Sequence, residues 1–208
     1  MTKPFALSVL LMLASAAALA DVPMRSTSTQ PPGLPLVGHT GATADLLGSA
    51  TFVIRDAANA PESGALVVID FSACTDVRLS ADALDPGFFL DCTNHVIRGI
   101  ADRNGQVTFH IVGEANGASP RALSACAAVY ADGVPFGSLD VATFDLDGSG
   151  GVNAMDLGIM AMDIAPHAYR ARSDFDFDGD VDAIDLGRLA QVLVTGGSRE
   201  SGLANCGP

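Results

Sequence analysis

Between Asp145 and Asp185 the chain places carboxylates at the spacing that a hard dication requires. Asp145, Asp147 and Ser149 stand at positions 1, 3 and 5 of a twelve-residue loop. Gly151 offers its carbonyl at position 7, Asn153 stands at 9 and Asp156 at 12. Asp174, Asp176, Asp178, Asp180, Asp182 and Asp185 occupy the same positions of a second loop. Calcium takes six to eight oxygens at about 2.3–2.6 Å, and alternate side chains converge on one point when the backbone then turns sharply. Gly150 and Gly179, at position 6, permit that turn because they carry no Cβ. The duplicated layout is that of an EF-hand-type calcium loop and predicts two calcium sites. Loop one brings Asp145, Asp147 and Asp156, with neutral Ser149 at position 5. Loop two brings Asp174, Asp176, Asp178 and Asp185, with Asp182 close by. Ligand charge tunes affinity, so loop two is expected to bind more tightly. Without an ion the clustered carboxylates would repel one another.

Helices must follow these loops. Leu157, Met160, Ala161 and Ile164 recur at i, i+3, i+4, i+7, and Leu186, Leu189, Ala190 and Leu193 repeat that stripe. Pro166 ends the first helix. No amphipathic helix precedes either loop, and Leu139–Phe144 reads as extended. Val152 and Val181, at position 8, are expected to pair the loops by a short backbone bridge. The first helix carries a second apolar stripe, Met155, Ile159 and Met162, where the second helix has Ile184, Arg188 and Gln191. That triplet is a candidate face for docking on the rest of the chain or on a partner. Surplus core of a small module is the competing explanation.

A duplicated loop, Asp followed by Leu at position 12 and no entering helix together resemble the dockerin family over Asp145–Leu193. The resemblance implies a pseudo-symmetric module with two calcium ions and attachment to a cohesin-like or other surface protein, often beside polysaccharide-degrading enzymes. In the enzyme-borne type, recognition uses Ser/Thr at positions 10 and 11 and Lys/Arg at 17 and 18. Here those positions hold Ala154, Met155, Ala161 and Met162, then Ala183, Ile184, Ala190 and Gln191. The calcium positions carry over one by one; the recognition positions do not.

The segment before the loops is strand-like. Thr51–Arg55, Ala65–Phe71, Val96–Ile100, Gln106–Val112, Ala127–Tyr130 and Val134–Val141 are short apolar or alternating runs. Asn104-Gly105 and Asp132-Gly133 mark hairpins. They predict an antiparallel sandwich of the immunoglobulin-like type. Phe52–Phe71 and Ala101–Phe109 also resemble bacterial Ig-like domains of invasin-type adhesins, which implies a spacer or binding role. The expected fold class is therefore a mainly β Ig-like sandwich followed by a small α-helical two-loop module. The expected boundaries are a signal peptide at 1–20, a Pro/Ser/Thr-rich leader at 21–37, the sandwich at 38–141, the calcium module at 142–196 and a tail at 197–208. Almost no linker separates sandwich from module, so the two should pack together.

Lys3, the apolar run Phe5–Leu13 and Ala18-Leu19-Ala20 read as a secretory signal peptide. That run is too short to span a bilayer core. Cys74, Cys92, Cys126 and Cys206 then form two disulfides by default, with three possible connectivities. Cys74–Cys92 and Cys126–Cys206 are the favoured pairs. The formal net charge is −13, and the acidity is concentrated in the loops, a surface that would repel nucleic acid. His39, His95, His110 and His167 are scattered, and no nucleophile elbow or His-Glu-x-x-His motif occurs. The expected function is calcium-dependent structure and protein attachment. The alternative is a subunit of a polysaccharide-degrading complex.

Overall fold

The computed structural model describes residues 22–117, 124–165, 169–202 and 205–206. The signal peptide expected at 1–20 lies outside these residues, as does His167. Among the described residues twelve strands are assigned in chain order: β1 Gly33–Val37, β2 His39–Thr40, β3 Thr43–Ala44, β4 Ser49–Val53, β5 Leu66–Asp70, β6 Val77–Ser80, β7 Phe89–Asp91, β8 Val96–Ile100, β9 Gln106–Ala115, β10 Ala127–Ala131, β11 Val134–Thr143 and β12 Asn205–Cys206. Two helices follow β11, α1 Ala154–Ile164 and α2 Ala183–Thr195. The chain is mainly β, with a large sheet followed by two helices.

The six runs read as strands are β4, β5, β8, β9, β10 and β11, whereas β6 and β7 lie in the stretch between Phe71 and Val96 where no strand was expected. In β4 and β5 every second residue is buried, Ala50 and Phe52, then Val67 and Ile69. β10 is hydrogen-bonded between β5 and β11, and β8 lies between β5 and β7. On the other side β9 takes β4 along its first half and β6 along its second. Phe52, Phe109, Ile69, Ile97 and Val129 meet in one core drawn from both stretches. Phe109 sits edge-on to Phe52 and Phe88, at 5.7 and 4.9 Å between ring centroids.

Three expectations are corrected here. The leader is not a leader throughout: Gly33–Val37 is β1, and all five of its residues are buried. Its prolines suggested a loose segment, yet Leu34, Leu36 and Val37 supply core side chains. The sheet is also not wholly antiparallel, because β1 runs parallel to both β11 and β9 and joins the two stretches. The disulfides are Cys74–Cys126 and Cys92–Cys206, with Cα–Cα distances of 5.1 and 4.6 Å, rather than the favoured pairs. Strand neighbours decide this. Cys74 follows β5 and Cys126 precedes β10, and those strands are paired. β12 is paired to β6, which brings the end of the chain back onto the sheet.

A second core joins the two-loop module to the sheet. Val37 from β1, Ala142 from β11, Phe144, Leu146, Met160, Phe175, Leu189 and Val192 form it. Phe144 and Phe175 stack at 4.3 Å. Fully burying a side chain of this size stabilises by roughly 1.5–3 kcal/mol, so the two parts share core rather than merely touch. The inward face of α1 keeps Met160 and Ile164 of the stripe read from sequence and adds two aspartates. Met160, Asp156 and Asp163 are buried, whereas Leu157 and Ala161 are exposed. In α2 the buried residues are Asp185, Leu189 and Val192, and Ala190 is exposed. Each helix turns its position-12 aspartate inward, and this rotates the face that is buried.

Candidate metal centre

Each loop is wired around its first and last aspartates. In loop one, Asp145 accepts backbone N–H bonds from Ser149 at 3.1 Å, Gly150 at 3.0 Å and Gly151 at 2.6 Å. Asp156 accepts from Leu146 at 2.7 Å, Asp147 at 3.1 Å and Asn153 at 2.7 Å. Loop two repeats the pattern. Asp174 accepts from Phe177 at 2.6 Å and Gly179 at 3.1 Å. Asp185 accepts from Phe175 at 2.6 Å, Asp176 at 3.2 Å and Asp182 at 2.9 Å. Gly150 and Gly179 have φ of 94° and 97°, the conformation that required glycine at position 6.

The helix starts explain part of this wiring. Asn153 and Asp182 are N-caps, and Asp156 and Asp185 return the bond at N3, so each loop closes in a capping box. The signal was present in sequence as Asn or Asp three residues before Asp, but it was read only as ligand spacing. Position 12 therefore both starts the helix and closes the loop.

The donor set fits a hard dication. Carboxylate oxygens of Asp145, Asp147 and Asp156 lie within 4.8 Å of one another, as do those of Asp174, Asp176 and Asp185. Asp180 and Asp182 form a further group with Asp185. Asp145, Asp156, Asp174 and Asp185 are buried, with at most 1% exposure. Asp176 Oδ1 is buried with no hydrogen-bond partner, and an oxygen so placed is suited to an ion. Burial pushes the Asp156 carboxyl up to about 6 and also raises Asp145, Asp174 and Asp185. The neighbouring Asp178 charge raises exposed Asp180. Clustered carboxylates that are costly to ionise are what a dication would relieve. Ser149 Oγ accepts from Asn153 Nδ2 at 3.1 Å, and Asp178 accepts the Asp180 N–H at 3.1 Å. Both stand at position 5, outside the three-carboxylate groups. Gly151 bonds through its carbonyl to Asn153 Nδ2.

The position-8 bridge expected between loops is not formed. Val152 donates its N–H to Ser198 O at 3.0 Å, in the segment after α2. That segment crosses loop one: Ser201 N bonds Gly150 O at 3.1 Å, and Ser198 Oγ reaches Asp45 Oδ2 at 3.1 Å. Loop two has a different anchor, missed in sequence. Arg172 is fully buried and donates through Nη2 and Nε to Asp76 at 2.6 and 2.9 Å, and through Nη1 to Val141 O. The Met155, Ile159 and Met162 triplet is divided. Ile159 packs on the second core, whereas Met155 and Met162 are 65% and 63% exposed. Ile184, which stands where Met155 does, is 55% exposed.

His110 lies on β9. Its Nδ1 lies 2.7 Å from Asp85 Oδ2, and Ser49 faces it in the strand register. Among the described residues no hydrogen bond joins Ser49 to the imidazole, so the three lack the nucleophile–base link of a catalytic trio. Among the described residues no helix is long and apolar enough to cross a membrane.

No curated protein and no solved structure matches the chain. The likeness of the N-terminal half to bacterial Ig-like domains is not supported by a family match. The family model described as the dockerin type I domain matches residues 143–194, the span that holds both carboxylate loops and both helices, so this C-terminal part of the chain is similar to dockerin type I domains.

Proposed function

We propose that the chain is an exported attachment protein in which the dockerin module binds two calcium ions and presents a protein-binding face, while the sandwich carries it. The observation that supports this most is the pair of buried carboxylate groups at equivalent positions of the two loops. In this reading Asp145, Asp147, Ser149, Gly151, Asn153 and Asp156 hold one ion. Asp174, Asp176, Asp178, Asp180, Asp182 and Asp185 hold the other. The ion supplies charge that lets the carboxylates converge; the chain supplies the turn, the capped helix and the buried aspartates that fix their direction. Dockerin domains bind cohesins, so the proposed partner is a protein of that kind. The proposed contact is made by exposed Met155 and Met162 rather than by the hydroxyl and cationic residues of the enzyme-borne type. The two disulfides and the signal-like start at 1–20 support export.

Calcium titration by calorimetry on the full chain tests the metal part. Two ions per chain are expected. Asp145→Ala and Asp174→Ala should each remove one, with the greater loss of total binding energy from Asp174→Ala because loop two carries more charge. A chain that takes up no calcium would refute the reading.

A further inference from the structure

The first aspartate of each loop receives a contact that the twelve-residue pattern does not contain. Asp145 Oδ2 accepts a hydrogen bond from Ser201 Oγ at 2.6 Å. The same hydroxyl lies 2.9 Å from Glu114 Oε2, on β9 of the sandwich. In the second repeat, Asp174 Oδ2 lies 3.1 Å from Tyr169 OH, and that hydroxyl lies 3.3 Å from Asp140 Oδ2, on β11. Ser201 and Tyr169 are unlike residues, one after α2 and one before loop two. They do not belong to the sequence repeat, yet they make the same connection.

The sandwich carboxylates are prepared in the same way. Glu114 Oε1 accepts from Arg78 Nη1 at 3.3 Å, which leaves Oε2 for Ser201. Asp140 Oδ1 accepts from the Ala125 N–H, which leaves Oδ2 for Tyr169. In each case one oxygen is fixed within the sandwich and the other faces a hydroxyl that also faces a calcium loop. Ser201, Glu114 and Asp145 are all at most 5% exposed, so water does little to screen the arrangement.

A hydroxyl has one hydrogen, and it can satisfy only one of two carboxylates at a time. Two carboxylates converging on one hydroxyl repel each other at close range. A dication on the inner side of Asp145 or Asp174 cancels that repulsion and lets the bridge close. We propose that Ser201 and Tyr169 are positioning residues of the two calcium sites, each tying the first aspartate of one loop to a sandwich carboxylate, so that the sandwich is part of both sites and calcium locks the module onto it. The proposal rests on the two-calcium reading and adds how the ions reach the rest of the molecule.

The test is calcium calorimetry on the full-length chain and on Ser201→Ala and Tyr169→Phe, with melting temperatures in calcium and in EDTA. Loss of an outer partner of a metal ligand typically weakens binding by about 10–100-fold. Ser201→Ala is expected to weaken one binding step by about tenfold or more and Tyr169→Phe the other, with both weakened in the double variant. Each substitution should lower the melting temperature in calcium and leave it nearly unchanged in EDTA. Glu114→Gln provides a second route. The side-chain amide that it introduces can donate to Ser201, whose hydrogen then serves Asp145, so the bridge closes without an ion. That variant should lose less stability on EDTA addition than the wild type does.

If the wild type binds two ions and both hydroxyl variants bind them with unchanged constants, the proposal is overturned. Equal destabilisation in calcium and in EDTA would also overturn it, because that is the mark of packing alone. A wild-type chain without calcium uptake overturns the metal reading itself, and is distinguished by the first titration.

Discussion

Loop one is held from outside by the end of the chain, whereas loop two is held from beneath by a short turn that precedes it. The segment 198–201 lies across loop one, bonded to Val152 and Gly150, and leads on to β12 and the Cys92–Cys206 disulfide. Loop two follows the 3-10 turn Ala171–Ser173, whose Arg172 is buried against Asp76, the residue before β6. The loops themselves are near copies. The repeat therefore fixes how an ion would be surrounded, and residues outside it fix where each site sits. A duplicated sequence gives internal symmetry, but packing on one sheet cannot be symmetric, because two equivalent loops meet different surfaces.

The largest expected effect breaks the loop-two anchor. Arg172→Met leaves Asp76 as a buried, unpaired charge, since Asp76 is only 4% exposed. Removing one partner of a buried pair costs about 3–5 kcal/mol. Urea unfolding should show a loss of that order, and Asp76→Asn added to Arg172→Met should recover part of it. If loop two is the one held through Arg172, its calcium affinity should fall while that of loop one stays nearly constant. Equal weakening of both loops would mean that the two anchors are not separate.

Much of this contrast lies beyond a sequence reading, for physical reasons. The loops were legible because ligand spacing is local: Asp145, Asp147 and Asp156 stand in one short stretch. Six of the strands between Thr51 and Val141 were legible because alternation and turn signals are local too, whereas β6 and β7 were not read as strands. Capping boxes were visible in principle as Asn153 with Asp156 and Asp182 with Asp185. Arg172 was not legible. Between Ala171 and Ser173 it looks like any surface arginine, and its partner Asp76 is remote in sequence. The disulfide pairing failed for the same reason, since Cys74 meets Cys126 only once β5 and β10 are neighbours. Gly33–Val37 failed through composition, because its proline argued against a buried strand. β1 takes a parallel neighbour on each side, a topology that no local pattern encodes.

An intermediate effect is expected from pH, and it sharpens the comparison of the two loops in the absence of calcium. Burial raises Asp156 from an ordinary 3.8 to about 6. The folded chain then keeps this proton over a range in which the unfolded chain has released it. Its stabilising contribution is complete below about pH 4 and is lost as pH rises through about 6. Melting curves in EDTA should show this loss between those values. Calcium requires the ionised carboxylate, so its binding releases a proton and weakens as pH falls below about 6. Asp91 and Asp102 are lowered by hydrogen bonds, chiefly from Asn94 and Gln106. Their contribution is present above the ordinary carboxylate value and lost as pH falls beneath it, so it lies outside the Asp156 window. Single-loop variants carrying only loop one or only loop two would show whether the proton release is shared.

The smallest effect on stability, and the most telling for attachment, concerns the outer faces of the two helices. Repeat one exposes Met155 and Met162, and repeat two exposes Ile184 beside Arg188 and Gln191. The apolar pair is thus confined to one repeat. Exposed side chains away from cores and caps usually tolerate substitution within about 0.5 kcal/mol. Met155→Lys and Met162→Lys should therefore leave the melting temperature in calcium nearly unchanged, whereas Ile159→Lys should lower it because Ile159 packs on the second core. If repeat one makes the contact, a calcium-dependent pull-down from cell envelope should lose its partner with Met155→Lys or Met162→Lys and keep it with Gln191→Lys. Loss with Gln191→Lys and retention with the methionine variants would move the binding face to repeat two. Retention with all three would place it outside both outer helix faces.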